Sequence, residues 1–125
     1  MKIEVSIGEI VDKLSILRIK LDNITDSDKL KNIKKEYDYL YDIVFDDLKV
    51  SQEDFNELLS INKKLWVIED DLRDKESSQE FDSTFIELAR SVYFVNDKRA
   101  EIKKEINIKY GSLFVEEKSY KSYSK

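Results

Sequence analysis

Ser51-Gln52-Glu53-Asp54-Phe55-Asn56-Glu57-Leu58-Leu59, continued through Leu65-Trp66 to Leu72, is the stretch that decides the fold. Ser51 is a helix-capping residue, and the acids after it fall in a first turn, where unpaired amides and the helix dipole favour negative charge. Phe55, Leu58, Leu59, Leu65, Trp66 and Leu72 then recur at spacings of three, four and seven, which marks one buried face of a helix. Nothing interrupts the pattern before the polar run Ser77-Ser78-Gln79-Glu80, so a helix over about 52–76 is expected.

The flanks repeat this grammar. Downstream, Thr84 and Glu87 form a capping-box pattern for a helix over about 84–110, with Gly111 placed as the left-handed residue that ends it. Upstream, Thr25-Asp26-Ser27-Asp28 is a run of cap formers ahead of Leu30, Ile33, Tyr37, Leu40, Tyr41, Val44 and Leu48, a helix over about 28–48. Tyr37, Tyr39 and Tyr41 contribute one or two core rings and one exposed ring on such a helix. Ser6-Ile7-Gly8-Glu9 is a further capping box, and Ile7, Ile10, Val11, Leu14, Leu17 and Leu21 give a first helix over about 7–23. The predicted fold class is all-α, an antiparallel four-helix hairpin bundle forming a single domain over 1–125. Residues 2–5 and 113–117 pair in it as a short β-ribbon, and a flexible tail begins near 118.

Composition agrees with long helices and removes much chemistry. The chain has 125 residues, 39% charged and 41% hydrophobic, with no proline and two glycines, too few turn formers for a sheet protein. Without cysteine or histidine there is no disulfide, no thiolate nucleophile, no imidazole base and none of the commonest zinc ligands. A net charge of −5 offers no footprint for a phosphate backbone, so no nucleic acid is expected as a partner. The first residues lack the apolar core of a signal peptide, and no run is long enough to span a membrane. A cytoplasmic protein without a cofactor is expected.

Projecting each helix at about 100° per residue shows which polar side chains fall inside the apolar arcs. Asn62, Glu69 and Arg73 do so on the third helix; Asn96, Arg99 and Lys103, followed by Asn107, do so on the fourth; Arg18 does so on the first. If the third and fourth helices form a hairpin near residue 80, Asn62 is level with Asn96 and Arg99. Two readings are open. The set Arg18, Asn62, Glu69, Arg73, Asn96, Arg99 and Lys103 is either an internal network of paired charges or a ligand-binding pocket for an anion held by guanidinium forks. The pocket reading brings to mind the all-helical chorismate mutases, in architecture alone. A third reading takes Asp70 and Asp74 as carboxylates for magnesium in nucleotide hydrolysis, but both lie on the outward face, and no metal or catalytic residue is assigned.

Lys2-Ile3-Glu4-Val5-Ser6-Ile7-Gly8-Glu9-Ile10-Val11-Asp12-Lys13-Leu14 and Leu65-Trp66-Val67-Ile68-Glu69-Asp70-Asp71-Leu72-Arg73 resemble a known family of small bacterial and bacteriophage proteins, domain of unknown function number 6165. Phe85-Ile86-Glu87-Leu88-Ala89-Arg90-Ser91-Val92-Tyr93, Asn96-Asp97-Lys98-Arg99 and Val115-Glu116-Glu117-Lys118-Ser119-Tyr120 are similar to it as well. The resemblance implies a setting near glycosyltransferase and surface-polysaccharide genes and transfers no catalytic residue. The expected function is a helical binding or assembly module, with a small-molecule enzyme or sensor as the alternative. Self-association, a homodimer or other homo-oligomer, is expected because Ile16, Ile19, Val67, Ile68 and Phe94 lie beyond one buried face.

Overall fold

The computed structural model describes residues 1–119, which form four α-helices: α1 (Ile7–Asn23), α2 (Ser27–Asp42), α3 (Gln52–Ser77) and α4 (Ser83–Lys109). Each begins on a side-chain cap. Ser6 Oγ accepts the Glu9 amide at 3.2 Å, Asp26 Oδ1 that of Lys29 at 3.0 Å, Ser51 Oγ that of Asp54 at 3.1 Å and Asp82 Oδ1 that of Phe85 at 3.0 Å. The cap of α4 is therefore Asp82 and not Thr84. Its carboxylate also accepts from Lys75 Nζ at 3.1 Å, and the Phe85 amide followed by this ammonium holds its pKa below the ordinary value. Gly111 has φ 66°, and ends α4 in the left-handed conformation a Cβ disfavours.

The second helix stops being α-helical at Asp42. It widens into a π turn, Ile43–Asp47, in which the Leu48 amide donates to the Ile43 carbonyl at 2.9 Å. The extra residue in this turn re-aims the side chains that follow. Val44 and Val50 enter the core, and Tyr37, Tyr41, Phe45 and Phe55 form a chain of rings with centroids 5.9, 4.7 and 5.3 Å apart. No tyrosine of α2 is fully buried: Tyr37 is half-buried, while Tyr39 and Tyr41 are exposed.

α1 packs against α2, α3 and α4, and α3 packs against α4. The last two run antiparallel, since Asp54 near the start of α3 pairs with Lys109 near the end of α4 at 2.7 Å, and Lys75 near the end of α3 pairs with Asp82 at the start of α4. The core is Val11, Leu14, Val44, Val50, Phe55, Leu58, Ile102 and Ile106. α2 contributes no fully buried residue and acts as a cover. α1, by contrast, buries Gly8, Asp12, Ser15 and Ile19 in addition to Val11, Leu14 and Leu17. Ile19, expected among the surplus apolar residues, is thus inside the fold; Ile16 and Ile68 are half-buried, and Val67 and Phe94 are exposed.

The expected β-ribbon is not formed: the described residues contain no strand, and Ile3, Val5, Leu113, Phe114 and Val115 are exposed. Two such short segments cannot offset their ordering entropy without a third strand or a helix across them. The start of α1 nevertheless meets the segment that follows α4, because the Ile7 amide donates to Ser112 Oγ at 3.0 Å. From residue 120 onward the tail expected at about 118–125, with Tyr120 and Tyr123, lies outside the described residues.

Candidate functional site

Gly8, Asp12 and Ser15 are spaced four and three along α1, so they share one face. That face presses on α3 and α4 so closely that a Cβ on Gly8 would stand 2.5 Å from the Lys103 carbonyl oxygen. Small residues on either side of Asp12 let the helices approach and leave its carboxylate enclosed, 2% exposed.

Both oxygens of that carboxylate are engaged. Oδ1 accepts from Asn62 Nδ2 at 2.8 Å and from Arg99 Nε at 2.9 Å, while Oδ2 accepts from Arg99 Nη2 in a forked pair. Asn62 gives its second amide hydrogen to Ser15 Oγ at 2.7 Å, and Ser15 donates in turn to the Asp12 carbonyl at 2.7 Å. Lys103 Nζ stands 4.0 Å from Asp12 Oδ2, 2.8 Å from Glu9 and 3.6 Å from Glu116. Glu9 therefore pairs with α4 and does not reach back to its own helix start, as a complete capping box would require. The hydrogen bond from Arg99 to Asp12 raises the guanidinium pKa further above its ordinary value, against the opposing effect of burial. A buried acid tied to one forked guanidinium and one amide is costly to break, on the order of 3–5 kcal/mol when a partner is removed.

The neighbouring groups close the site from below. Asn107 Oδ1 accepts the Gly8 amide at 2.6 Å, and the Asn107 carbonyl accepts that of Ser112 at 2.8 Å. The Ile7, Gly8 and Glu9 amides are thus all satisfied by side chains, and the N-terminus of α1 offers no vacant anion seat. At the other edge Tyr110 Oη accepts from the Ser51 amide at 2.9 Å and donates to Asp54 at 2.5 Å. Burial pushes the Asp54 carboxyl up, but hydrogen bonds from Lys109, Tyr110 and Ser51 outweigh it and leave the pKa below its ordinary value.

Of the residues singled out by helical projection, Asn62, Arg99 and Lys103 converge, and they do so on Asp12. Arg18 is exposed on α1, 3.6 Å from Asp22 and beside Tyr37. Glu69, Arg73 and Asn96 are exposed, and their side chains form no hydrogen bond or ion pair among the described residues. They lie on the half of the hairpin beyond Leu65 and before Ile102, where no residue is fully buried, so nothing encloses them. Asp70 and Asp74 are exposed, and no group of three or more metal-binding side chains occurs among the described residues. A shallow groove at the hairpin end is lined by Asp71, Asp74, Glu80, Lys75 and Leu88, which is the wrong charge for an anion.

Asp12 is the residue that sequence reasoning missed. Its signal was present in the spacing Gly8, Asp12, Ser15, Ile19, a second stripe beside the obvious apolar one. A helix with two adjacent inward stripes is one that packs on neighbours to both sides. Chemically the arrangement is closed: no buried side-chain nitrogen or oxygen among the described residues lacks a partner. Both Asp12 carboxylate oxygens are held by Asn62 and Arg99, so the acid serves the packing of the three helices.

Fold and network together define a small all-helical protein pinned around a buried aspartate–arginine pair, with no helix long and apolar enough to cross a membrane among the described residues. The chain belongs to a family of unknown function, DUF6165, whose model matches residues 1–124. No curated protein and no solved structure matches it.

Proposed function

We propose that the chain is a non-catalytic assembly module, a helical bundle whose closed base holds out the far half of the α3/α4 hairpin for a protein partner. One observation carries this reading: the inward charges are spent on one another at the base, while large apolar side chains stand in solvent along the far half. Val67 is 56% exposed, Phe81 56%, Ile86 54% and Tyr93 64%. A two-helix hairpin has too little surface of its own to cover such residues, and large apolar side chains left in solvent suit a contact surface. We take its setting to be the cytoplasm of a bacterium or of a phage-infected host. The surface-polysaccharide context implied by the family resemblance suits a module that holds another protein and turns over no sugar.

The rival reading, a pocket for an anionic small molecule, makes a different prediction for thermal unfolding. Melting is followed with nucleotides, nucleotide sugars, sugar phosphates and aromatic carboxylates, in wild type and in Arg73→Ala and Asn96→Ala, whose exposed side chains are dispensable for folding. A ligand at a hundred times its dissociation constant adds about 2.7 kcal/mol, a shift of several degrees. The assembly reading expects no saturable shift from any class. A shift that either substitution abolishes overturns it.

A further inference from the structure

α4 carries a second apolar face that the fold leaves uncovered. Phe85, Leu88, Ala89, Val92 and Val95 are half-buried on its inner side, yet Ile86 and Tyr93 stand exposed on the adjoining flank, seven residues apart. Arg90 and Asp97 lie on the same line, both exposed and without an ion-pair partner among the described residues. The order Ile86, Arg90, Tyr93, Asp97 runs at spacings of four, three and four, the seam by which one helix meets another. An apolar stripe that widens onto a flank in this way suits cover by a further helix.

We propose that this face is covered by a second copy of the chain, with α4 docked antiparallel on α4 about a two-fold axis crossing between residues 93 and 94. Charge fixes both the partner and the register. The midpoint of Arg90 and Asp97 lies on that axis, so Arg90 of each copy falls opposite Asp97 of the other, and a single operation makes two ion pairs. Tyr93, beside the axis, packs on Tyr93 of the second copy, and Ile86 closes each end of the seam. A parallel pairing would set arginine on arginine and aspartate on aspartate. A surface that complements itself in this way is what a self-partner requires, and a foreign partner does not call for it. The inference rests on the assembly reading and narrows the partner to the chain itself.

Sedimentation equilibrium on wild type, Arg90→Asp, Asp97→Arg and the double reversal R90D/D97R tests it, with circular dichroism confirming that each remains helical. The wild type is expected to be a dimer. Either single reversal creates two like-charge contacts and weakens the dimer on the order of a hundredfold, and the double reversal restores it. A wild type that stays monomeric, a dimer indifferent to the single reversals, or a double reversal that fails to restore association each overturns the proposal. A monomer that ignores the small-molecule panel leaves the assembly reading standing with another protein as partner; a ligand shift overturns that reading itself.

Discussion

Asn62 and Asn96 are the same side chain on the inward line of one hairpin, yet Asn62 is 4% exposed and donates two hydrogen bonds while Asn96 stands in solvent without any among the described residues. Arg99 and Arg73 differ in the same way, one forked onto Asp12 and the other exposed and without an ion-pair partner among the described residues. What separates the pairs is α1. It is 17 residues long, about 25 Å, against about 39 Å for the 26 residues of α3, and its polar stripe meets the hairpin only near the base. Polar residues inside an apolar stripe therefore gain meaning only where a third helix arrives with a complementary group. The base is organised by burial and a paired charge, and the far half by little beyond the contact of two helices.

Breaking the base should cost far more than editing the far half. Arg99→Ala leaves the Asp12 carboxylate buried without its main partner and should destabilise by about 3–5 kcal/mol in urea unfolding, whereas Arg73→Ala should stay within about 0.5 kcal/mol of wild type. Equal effects would remove the distinction between the two regions. Gly8→Ala drives a methyl group into the Lys103 carbonyl and should cost about 2 kcal/mol, although alanine is the better helix former.

Asp54, at the edge of the base, sharpens the contrast through pH. Its folded pKa lies below its ordinary value, so its contribution to stability is full above that value, 3.8, and is lost as the pH falls through the folded pKa. Asp54→Asn should lower the melting temperature near neutral pH by the equivalent of about 1 kcal/mol, and the gap to wild type should shrink in melts below about pH 4. A gain in stability is expected at the far end of the hairpin. Gln79 has φ 53°, a left-handed conformation that glycine adopts without penalty, and Gln79→Gly should stabilise by up to about 1 kcal/mol in the same unfolding assay.

Much of the helical layout was legible because its signals are local. Ser6, Ser51 and Gly111 announced their helix ends through hydrogen bonds and backbone angles that span a few residues. Where a local signal had a competitor it misled: Thr84 and Glu87 imitate a capping box, but Asp82 lies two residues earlier and also binds Lys75. The π turn at Ile43–Asp47 left no mark in the apolar pattern, since it is imposed by the need to bring Val44, Phe45 and Val50 onto the core. The candidate site divided along similar lines. Asn62, Arg99 and Lys103 were found because a polar residue on an apolar line is visible in one helix at a time. Asp12 was overlooked because its line, with Gly8 and Ser15, looks like an ordinary polar face until two other helices are placed against it.

By itself the sequence determined that this protein is helical, where most of its helices start and stop, and that histidine, cysteine and disulfide chemistry are excluded, since these depend on composition and on contacts between near neighbours in the chain. Tertiary structure alone decided which in-stripe charges are enclosed. Asp12, Asn62 and Arg99 are brought together by packing across 50 and 87 residues of chain, and the worth of each depends on water being kept out by the other two.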